Sequence, residues 1–300
     1  GVSYAGFISE TNPKVVISGG RYSIRGNQES GLNEESFITA DNSTEQLSYS
    51  YDCLLIHQAQ RKVLIWDPTF YYDDVVTGIS RPLWNNTAAA FQNAGAVVNE
   101  QKGKNRLYPK TLTDAGETAS SLLKYDLIYI RAPYTDLIES DKAMLLQYLN
   151  MGGRIYIQAE DSHPGHMDKT GQPHIQTFSK MNQKASDMAR ELGAQFSVNQ
   201  NFGMALVGGD RQVYFGPQNL TAGTGLTAGM TTWNLEAASP IDVDGAEDVT
   251  MLMSAQTYNW TGNAFDVQQN NPQGVKPWCV DQAAGNLGGA KWGRLTVSTD

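Results

Sequence analysis

Between Tyr125 and His166 the chain is apolar, then amphipathic, then apolar again. Asp126-Leu-Ile-Tyr-Ile-Arg131 is a short run of strand formers followed by the turn residues Ala132-Pro133-Tyr134-Thr135, which predicts a buried strand. Ile138, Leu145, Leu146 and Leu149 then recur at helical spacing, with Ser140 or Thr135 available as a cap and Gly152-Gly153 as a left-handed stop, so 138–150 is expected to be an amphipathic helix. Arg154-Ile-Tyr-Ile-Gln158 repeats the strand pattern and leads into the polar loop 159–168. Strand, helix and strand in this order make one βαβ unit, with parallel strands and a right-handed crossover.

The alternation continues on both sides. Lys62–Trp66 reads as a strand, Thr87–Asn93 as a helix stopped by Gly95, Ala96–Val98 as a strand and Thr113–Leu123 as a helix. After the central unit, Thr177–Leu192 is helical and Ala194–Val198 is the fifth strand. Such alternation gives a parallel sheet with helices on both faces. Beyond it, Met204–Phe215 reads as a hairpin turning at Gly208-Gly209-Asp210, the Gly/Thr-rich stretch Gly223–Met230 as a loop, and Asp248–Met253 and Gly293–Val297 as late strands. Residues 1–58 carry only short β patterns, at Lys14–Ser18, Arg21–Arg25, Phe37–Thr39 and Leu47–Ile56. The chain therefore divides into a β-rich N-terminal segment or subdomain, 1–58, and an α/β domain, 59–300.

Composition narrows the function. Apolar residues make up 40% and charged residues 18%, as in a folded globule. The net charge of −9, without a basic cluster, argues against nucleic acid and anionic membrane surfaces as partners. No run approaches the length needed to span a bilayer as a helix, so membrane insertion is not expected. The chain begins at Gly1 with no basic and apolar leader, as expected for a processed or excised segment. Abundant Asn, Gln, Thr, Tyr and Gly with few lysines leans toward an extracytoplasmic location: periplasmic, cell-surface or secreted. The two cysteines, Cys53 and Cys279, fit one long-range disulfide or two buried thiols, and an exported chain favours the disulfide.

Three features carry candidate chemistry. His163, His166 and His174 lie close to Glu160, Asp161 and Asp168 after the strand ending at Gln158. Imidazole and carboxylate together suit a divalent ion such as zinc, with Glu160, Asp161, His163, His166 and Asp168 as the candidate ligands; a solvated polar loop is the plainer alternative. The acidic stretch Asp242-X-Asp244-Gly245-X-Glu247-Asp248 offers oxygen ligands for calcium, or is an acidic turn without the EF-hand spacing. Trp66, Phe70, Tyr71, Tyr72, Trp84 and Tyr134 can stack on sugar rings or cover a core edge.

Tyr125-Asp-Leu-Ile-Tyr-Ile-Arg131, the helix ending Leu149-Asn-Met-Gly-Gly153, Arg154-Ile-Tyr-Ile157, Thr250-Met-Leu-Met-Ser254 with Tyr258-Asn-Trp260, and Gly293-Arg-Leu-Thr-Val-Ser-Thr-Asp300 resemble the class I glutamine amidotransferase-like superfamily. The likeness is to its divergent extracytoplasmic branch, that of gliding-motility transport-associated domains, and covers Lys62 to Asp300. It implies a flavodoxin-like three-layer α/β sandwich with a mostly parallel sheet, here with the β-rich N-terminal segment added.

Catalytic members place a cysteine on a strand-to-helix elbow and a histidine later, because the thiolate needs a base. Here the elbow position reads Ala159-Glu160-Asp161-Ser162-His163, with neither cysteine near it and no Gly-X-Ser-X-Gly around Ser162. The expectation is a non-catalytic exported or cell-surface domain for glycan or protein binding or for assembly of a surface structure, self-assembly included, without a cofactor. The alternative is a metal-dependent hydrolase built on the His163/His166 loop. Asp67, Tyr71, Tyr72, Arg131, Tyr134, Glu160 and Asp161, all just after predicted strand ends, are the candidate ligand-binding side chains.

Overall fold

The computed structural model describes residues 4–8, 15–19, 22–27, 34–39, 44–46, 61–68, 85–103, 109–131, 133–160, 175–198, 203–205, 212–215, 220–221, 230, 233–236, 239–260, 267–285 and 291–299. The chain forms two compact units, one of residues 1–61 with 94–97 and one of residues 62–93 with 98–300.

In the first unit, β1 (Tyr4–Ile8) and β2 (Val15–Gly19) form an antiparallel hairpin, and β3 (Tyr22–Asn27), β4 (Glu34–Thr39) and β5 (Thr44–Gln46) form an antiparallel meander. The strand expected at Leu47–Ile56 lies outside the described residues.

The second unit is built on β6 (Lys62–Asp67), α1 (Asn85–Asn93), β7 (Val97–Lys102), the single-turn α2 (Ala119–Leu122), β8 (Leu127–Arg131), α3 (Glu139–Asn150), β9 (Arg154–Ala159) and α4 (Ile175–Glu191). The shorter strands β10 (Ser197–Val198), β11 (Gly203–Ala205), β12 (Gln212–Phe215), β13 (Trp233–Glu236) and β14 (Ile241–Asp242) precede three long ones. These are β15 (Val249–Trp260), β16 (Val267–Ala284) and β17 (Gly293–Thr299). One eight-stranded sheet runs β11-β15-β16-β17-β9-β8-β6-β7. Strands β17, β9, β8 and β6 pair in parallel, whereas β11, β15 and β16 continue the sheet antiparallel from β17. Taken in chain order, β7-β6-β8-β9-β17 is the 2-1-3-4-5 order of a flavodoxin-like sheet.

The register sorts the side chains onto two faces. Leu64, Trp66, Ile128, Ile130, Ile155, Ile157, Leu295 and Val297 share one face and are all buried, joined in one core with Leu145 and Leu149 of α3 and Ala185, Met188 and Ala189 of α4. The opposite face carries Tyr129 and Tyr156, stacked with centroids 5.0 Å apart, and Phe91 of α1 meets the Tyr129 ring edge-on. Helices thus cover both faces, and the three-layer α/β architecture expected from the alternating pattern is present. Gly152, at φ +86°, supplies the expected stop to α3, and the Gly153 amide reaches back to the Tyr148 carbonyl at 2.9 Å.

Several local expectations are corrected. Residues 112–116 form turns rather than the start of a long helix; α2 begins after Thr118, whose side chain and that of Ser121 make a reciprocal capping box. The N-cap of α3 is Ile138, which offers no side-chain bond, so neither Thr135 nor Ser140 performs that role. Among the described residues Ser197–Val198 pairs with β14 alone, and the fifth parallel strand is β17 instead. Met204–Phe215 is not one hairpin, since β11 pairs with β15 and β12 with β13.

Candidate functional site

In a 2-1-3-4-5 sheet the strand order reverses between the first and third strands, and ligands bind in the crevice outside their carboxyl ends. Here those strands are β6 and β8. Trp66 lies opposite Ile130 in the register, which sets Asp67 beside Arg131 at the two strand ends. The Arg131 Nη2 is 3.4 Å from Asp67 Oδ2 and 3.5 Å from Glu100 Oε2, and Glu100 also takes the Lys102 ammonium at 2.8 Å. Arg131 is 1% exposed and Asp67 5%. The structure therefore brings together two of the predicted ligand-binding residues, but as an internal ion pair whose charges face each other and not the solvent.

The crevice itself lies on the Trp66 side of the strand ends. Trp66 donates its indole N–H to the Lys110 carbonyl at 2.8 Å, and the Lys110 amide returns to the Pro68 carbonyl at 2.8 Å. Gly103 packs so closely that an added Cβ would sit 2.1 Å from the Pro68 oxygen, which pins the end of β7 against the end of β6. On the other wall, the buried Asp141 in the first turn of α3 accepts the amides of Leu112 at 3.2 Å and Thr113 at 3.4 Å. Burial pushes the Asp141 carboxyl above the usual carboxylate range, against the pull of those bonds. The result is an open cleft of about 70 Å³ lined by Trp66, Pro68, Lys110, Thr111, Asp136 and Ile138 among others. Lys184 pairs with Asp136 of the lining, and the Lys180 ammonium stands 5.2 Å from the ring centroid of half-buried Tyr134, the residue before the lining Thr135.

Glu160, the residue of the 159–163 elbow that directly follows β9, is 4% exposed. Its backbone N–H donates to Asn182 Oδ1 at 2.8 Å, and Asn182 Nδ2 is 3.3 Å from Ser239 Oγ, with all three residues buried. Tyr71, Tyr72 and Asp161, and the remaining metal candidates His163, His166 and Asp168, lie outside the described residues. Among the described residues no group of three or more His, Cys, Asp or Glu side chains is arranged to hold a metal ion. The acidic turn at 242–248 is answered by lysine: Lys276 Nζ lies 3.1 Å from Asp242 and 3.7 Å from Asp244, where a cation would sit.

Cys279 is a free, buried thiol of β16, and Cys53, its expected disulfide partner, lies outside the described residues. The Cys279 side chain is enclosed in the sheet layer beside Tyr156. Burial, and then the nearby Asp281 carboxylate, push the thiol up to about 12, so it stays protonated and unreactive at neutral pH.

Lys110, Thr111, Asp136, Asp141 and Asn182 were not singled out by the sequence pattern. Asn182 and Asp141 had a usable signal, a polar residue on the apolar face of a helix; Lys110 had none.

No protein-family profile matches the chain, and no curated protein matches it. Among solved structures it is similar to the mmIFT52 N-terminal domain (13% identity, TM-score 0.45, covering 79% of this chain and 85% of that one). It is also similar to the cytoplasmic protein STM1381 from Salmonella typhimurium LT2 (13%, 0.42, 79% and 86%) and to a ThuA-like protein from Bacteroides uniformis ATCC 8492 (13%, 0.39, 79% and 80%). The fold assignment rests on the strand order, not on these likenesses.

Proposed function

We propose that this chain is a non-catalytic, amidotransferase-like binding domain of an exported or cell-surface protein, which holds a glycan at the carboxyl end of its sheet without transforming it. The observation that carries this reading is the fate of the elbow after β9. Amide hydrolysis there needs a nucleophile and a free backbone N–H for the oxyanion. The one described elbow residue beyond β9, Glu160, is a buried glutamate whose N–H is taken by Asn182, while Asp161, Ser162 and His163 lie outside the described residues. The only described cysteine lies two strands away on β16 and is held protonated by burial. What remains at the strand ends is a small cleft lined by threonine hydroxyls, with half-buried Tyr134 next to the lining residue Thr135, groups that hydrogen-bond to and stack on sugars.

The test has two arms. Incubation with glutamine and with a p-nitrophenyl ester is expected to give no turnover above background; hydrolysis abolished by Ser162→Ala or His163→Ala would replace this reading with an enzyme. Retention on an immobilised glycan panel, weakened by Tyr134→Ala, is the positive expectation. Retention by none of the glycans would sink the binding role.

A further inference from the structure

At the amino end of the central sheet we infer a docking face for a second copy of this chain, closed by a two-fold axis. The face lies at the opposite end of the strands from the cleft and is independent of the glycan role.

The sheet order sets five loops side by side at this end. They are the acidic turn before β15, Gly285 after β16, Lys291-Trp292 before β17, Met151 to Arg154 at the start of β9, and Leu123-Lys124 before β8. At roughly 4.8 Å per strand the row spans about 19 Å. Its middle is apolar and open. Trp292 is 64% exposed and Met151 62%. They are neighbours, since a Cβ on Gly152 would lie 4.0 Å from the Trp292 carbonyl oxygen and the Arg294 amide donates to the Gly153 carbonyl at 3.1 Å. Leu123, 44% exposed, adds to the apolar strip on the β8 side. One exposed apolar side chain is ordinary, but an indole and a thioether presented together are the residue types that concentrate at the centres of protein interfaces.

Charge is ordered along the same row. Asp244, Glu247 and Asp248 are exposed on the β15 flank, and Lys291, Arg154 and Lys124 are exposed on the other side. Lys124 already takes Glu117, and Asp244 is 3.7 Å from Lys276, so Glu247 and Asp248 stand against Lys291 and Arg154. Arg190 is in the last turn of α4, where the carbonyl end of that helix favours a positive charge. Residues 286–290, between β16 and Lys291, contain no charged side chain and leave this order unchanged. A row that runs acid, apolar, base matches a copy of itself turned through half a circle about its centre. Apolar then meets apolar, and each acidic turn meets the Lys291 and Arg154 of the other copy. That is the isologous contact of a two-fold dimer. An anionic lipid surface would accept the bases and the indole but repel the acidic turn, whereas a second copy satisfies all three.

The backbone under these side chains is pinned. A Cβ on Gly293 would sit 2.6 Å from the Leu149 oxygen, and one on Gly285 2.7 Å from Asn150 Oδ1. The Glu247 N–H donates to Gln195 Oε1 at 2.8 Å, and its carbonyl accepts from Gln282 Nε2 at 2.8 Å. Docking therefore has little ordering left to do, and such ordering is one of the main costs that hold affinity below what buried area suggests. Two sheets joined at their amino ends point their carboxyl ends apart, so both clefts stay open and the pair binds a polymer bivalently.

The experiment follows the light-scattering mass of the whole chain from about 1 to about 100 μM, where it is expected to rise toward twice 32.8 kDa. Trp292→Ser is expected to weaken the dimer about tenfold or more, with the melting temperature of the dilute protein unchanged because the side chain is mostly exposed. The decisive arm exchanges charge. Lys291→Glu combined with Arg154→Glu sets acid against acid across the axis, and Glu247→Lys sets base against base, so each variant alone is expected to dimerise more weakly than the native chain. An equal mixture of the two is expected to recover the dimer, because both junctions then pair opposite charges. A monomer at every concentration overturns the inference, as does a dimer indifferent to Trp292→Ser. No recovery in the mixture overturns the two-fold arrangement. Co-sedimentation of a monomeric chain with phosphatidylglycerol vesicles, lost in Trp292→Ser, overturns the second copy in favour of a lipid surface.

Discussion

The guanidinium of Arg131 and the carboxylate of Asp67 lie 3.4 Å apart at the ends of two adjacent parallel strands, and their side chains are 1% and 7% exposed. Two charges taken out of water at this depth depend on each other. Removing one leaves the other buried without its compensation, which costs about 3–5 kcal/mol, whereas removing both at once is far cheaper. Arg131→Met is thus expected to lower the urea-unfolding free energy by about that amount, and the double variant with Asp67→Asn to recover a large part of it. Glu100, which is partly open to solvent, is expected to cost under about 1 kcal/mol as Glu100→Gln. Additive single and double losses would show that the pair is not coupled.

Two buried carboxylates are expected to respond to pH with opposite sign. Burial raises the Asp141 carboxyl above its ordinary 3.8, so its favourable contribution is complete below that value and is lost as pH rises through the folded-state value. Glu117 is the reverse: burial alone would raise it, but the hydroxyls of Ser121 and Tyr125 and the Lys124 ammonium outweigh burial and hold it below its ordinary 4.5. Its contribution is present above 4.5 and is lost as pH falls through the folded-state value. Melting temperatures from pH 3 to 7 should therefore show Asp141→Asn gaining on the native chain as pH rises, and Glu117→Gln losing ground over the same rise. Flat difference curves would remove the burial argument for both.

The parallel half of the fold was legible because each of its strands is short, β-branched and closed by a turn; Leu127–Arg131 and Arg154–Ala159 differ from their sequence-based bounds by a residue. Of the antiparallel half, only the start of β15, expected at Asp248–Met253, was legible. Strand β16 runs from Val267 to Ala284 through Pro272, Gly274 and Pro277, a composition that reads as loop because proline cannot donate to a ladder. The sheet accommodates it with register shifts beside both prolines, opposite Thr257/Tyr258 and Met253/Ser254. The site was legible only in part, for a similar reason. Strand ends pointed to Asp67 and Arg131, but nothing local in the sequence says that they face each other, or that Lys110, forty-four residues from Trp66, returns to accept its indole N–H.

Cys279 is expected to behave as a shielded thiol. In unreduced native protein it should resist Ellman's reagent at pH 8, and it should react promptly once the chain is unfolded in guanidinium, because 1% exposure and a thiol raised to about 12 deny both access and thiolate. A reductant should leave the melting temperature unchanged. A melting temperature that drops on reduction, with no free thiol found in denaturant, would restore the disulfide.

Asn182 is expected to matter for stability although it does not line the cleft. Its Oδ1 accepts the Glu160 N–H at 2.8 Å and its Nδ2 lies 3.3 Å from Ser239 Oγ, all within buried surroundings. Truncation strands polar groups on both partners, at about 1–3 kcal/mol for each group left unsatisfied. Asn182→Ala should therefore destabilise the chain by several kcal/mol in urea, and the Glu160 amide should exchange with solvent faster than its neighbours in β9. A lost hydrogen bond and a lost volume predict different rescues. Asn182→Leu refills the space without restoring either bond, so it is expected to remain as destabilised as the alanine variant, with the Glu160 amide still fast. Recovery of stability in Asn182→Leu would mean that packing, not the hydrogen-bonded link from the elbow to Ser239, holds the end of β9 in place.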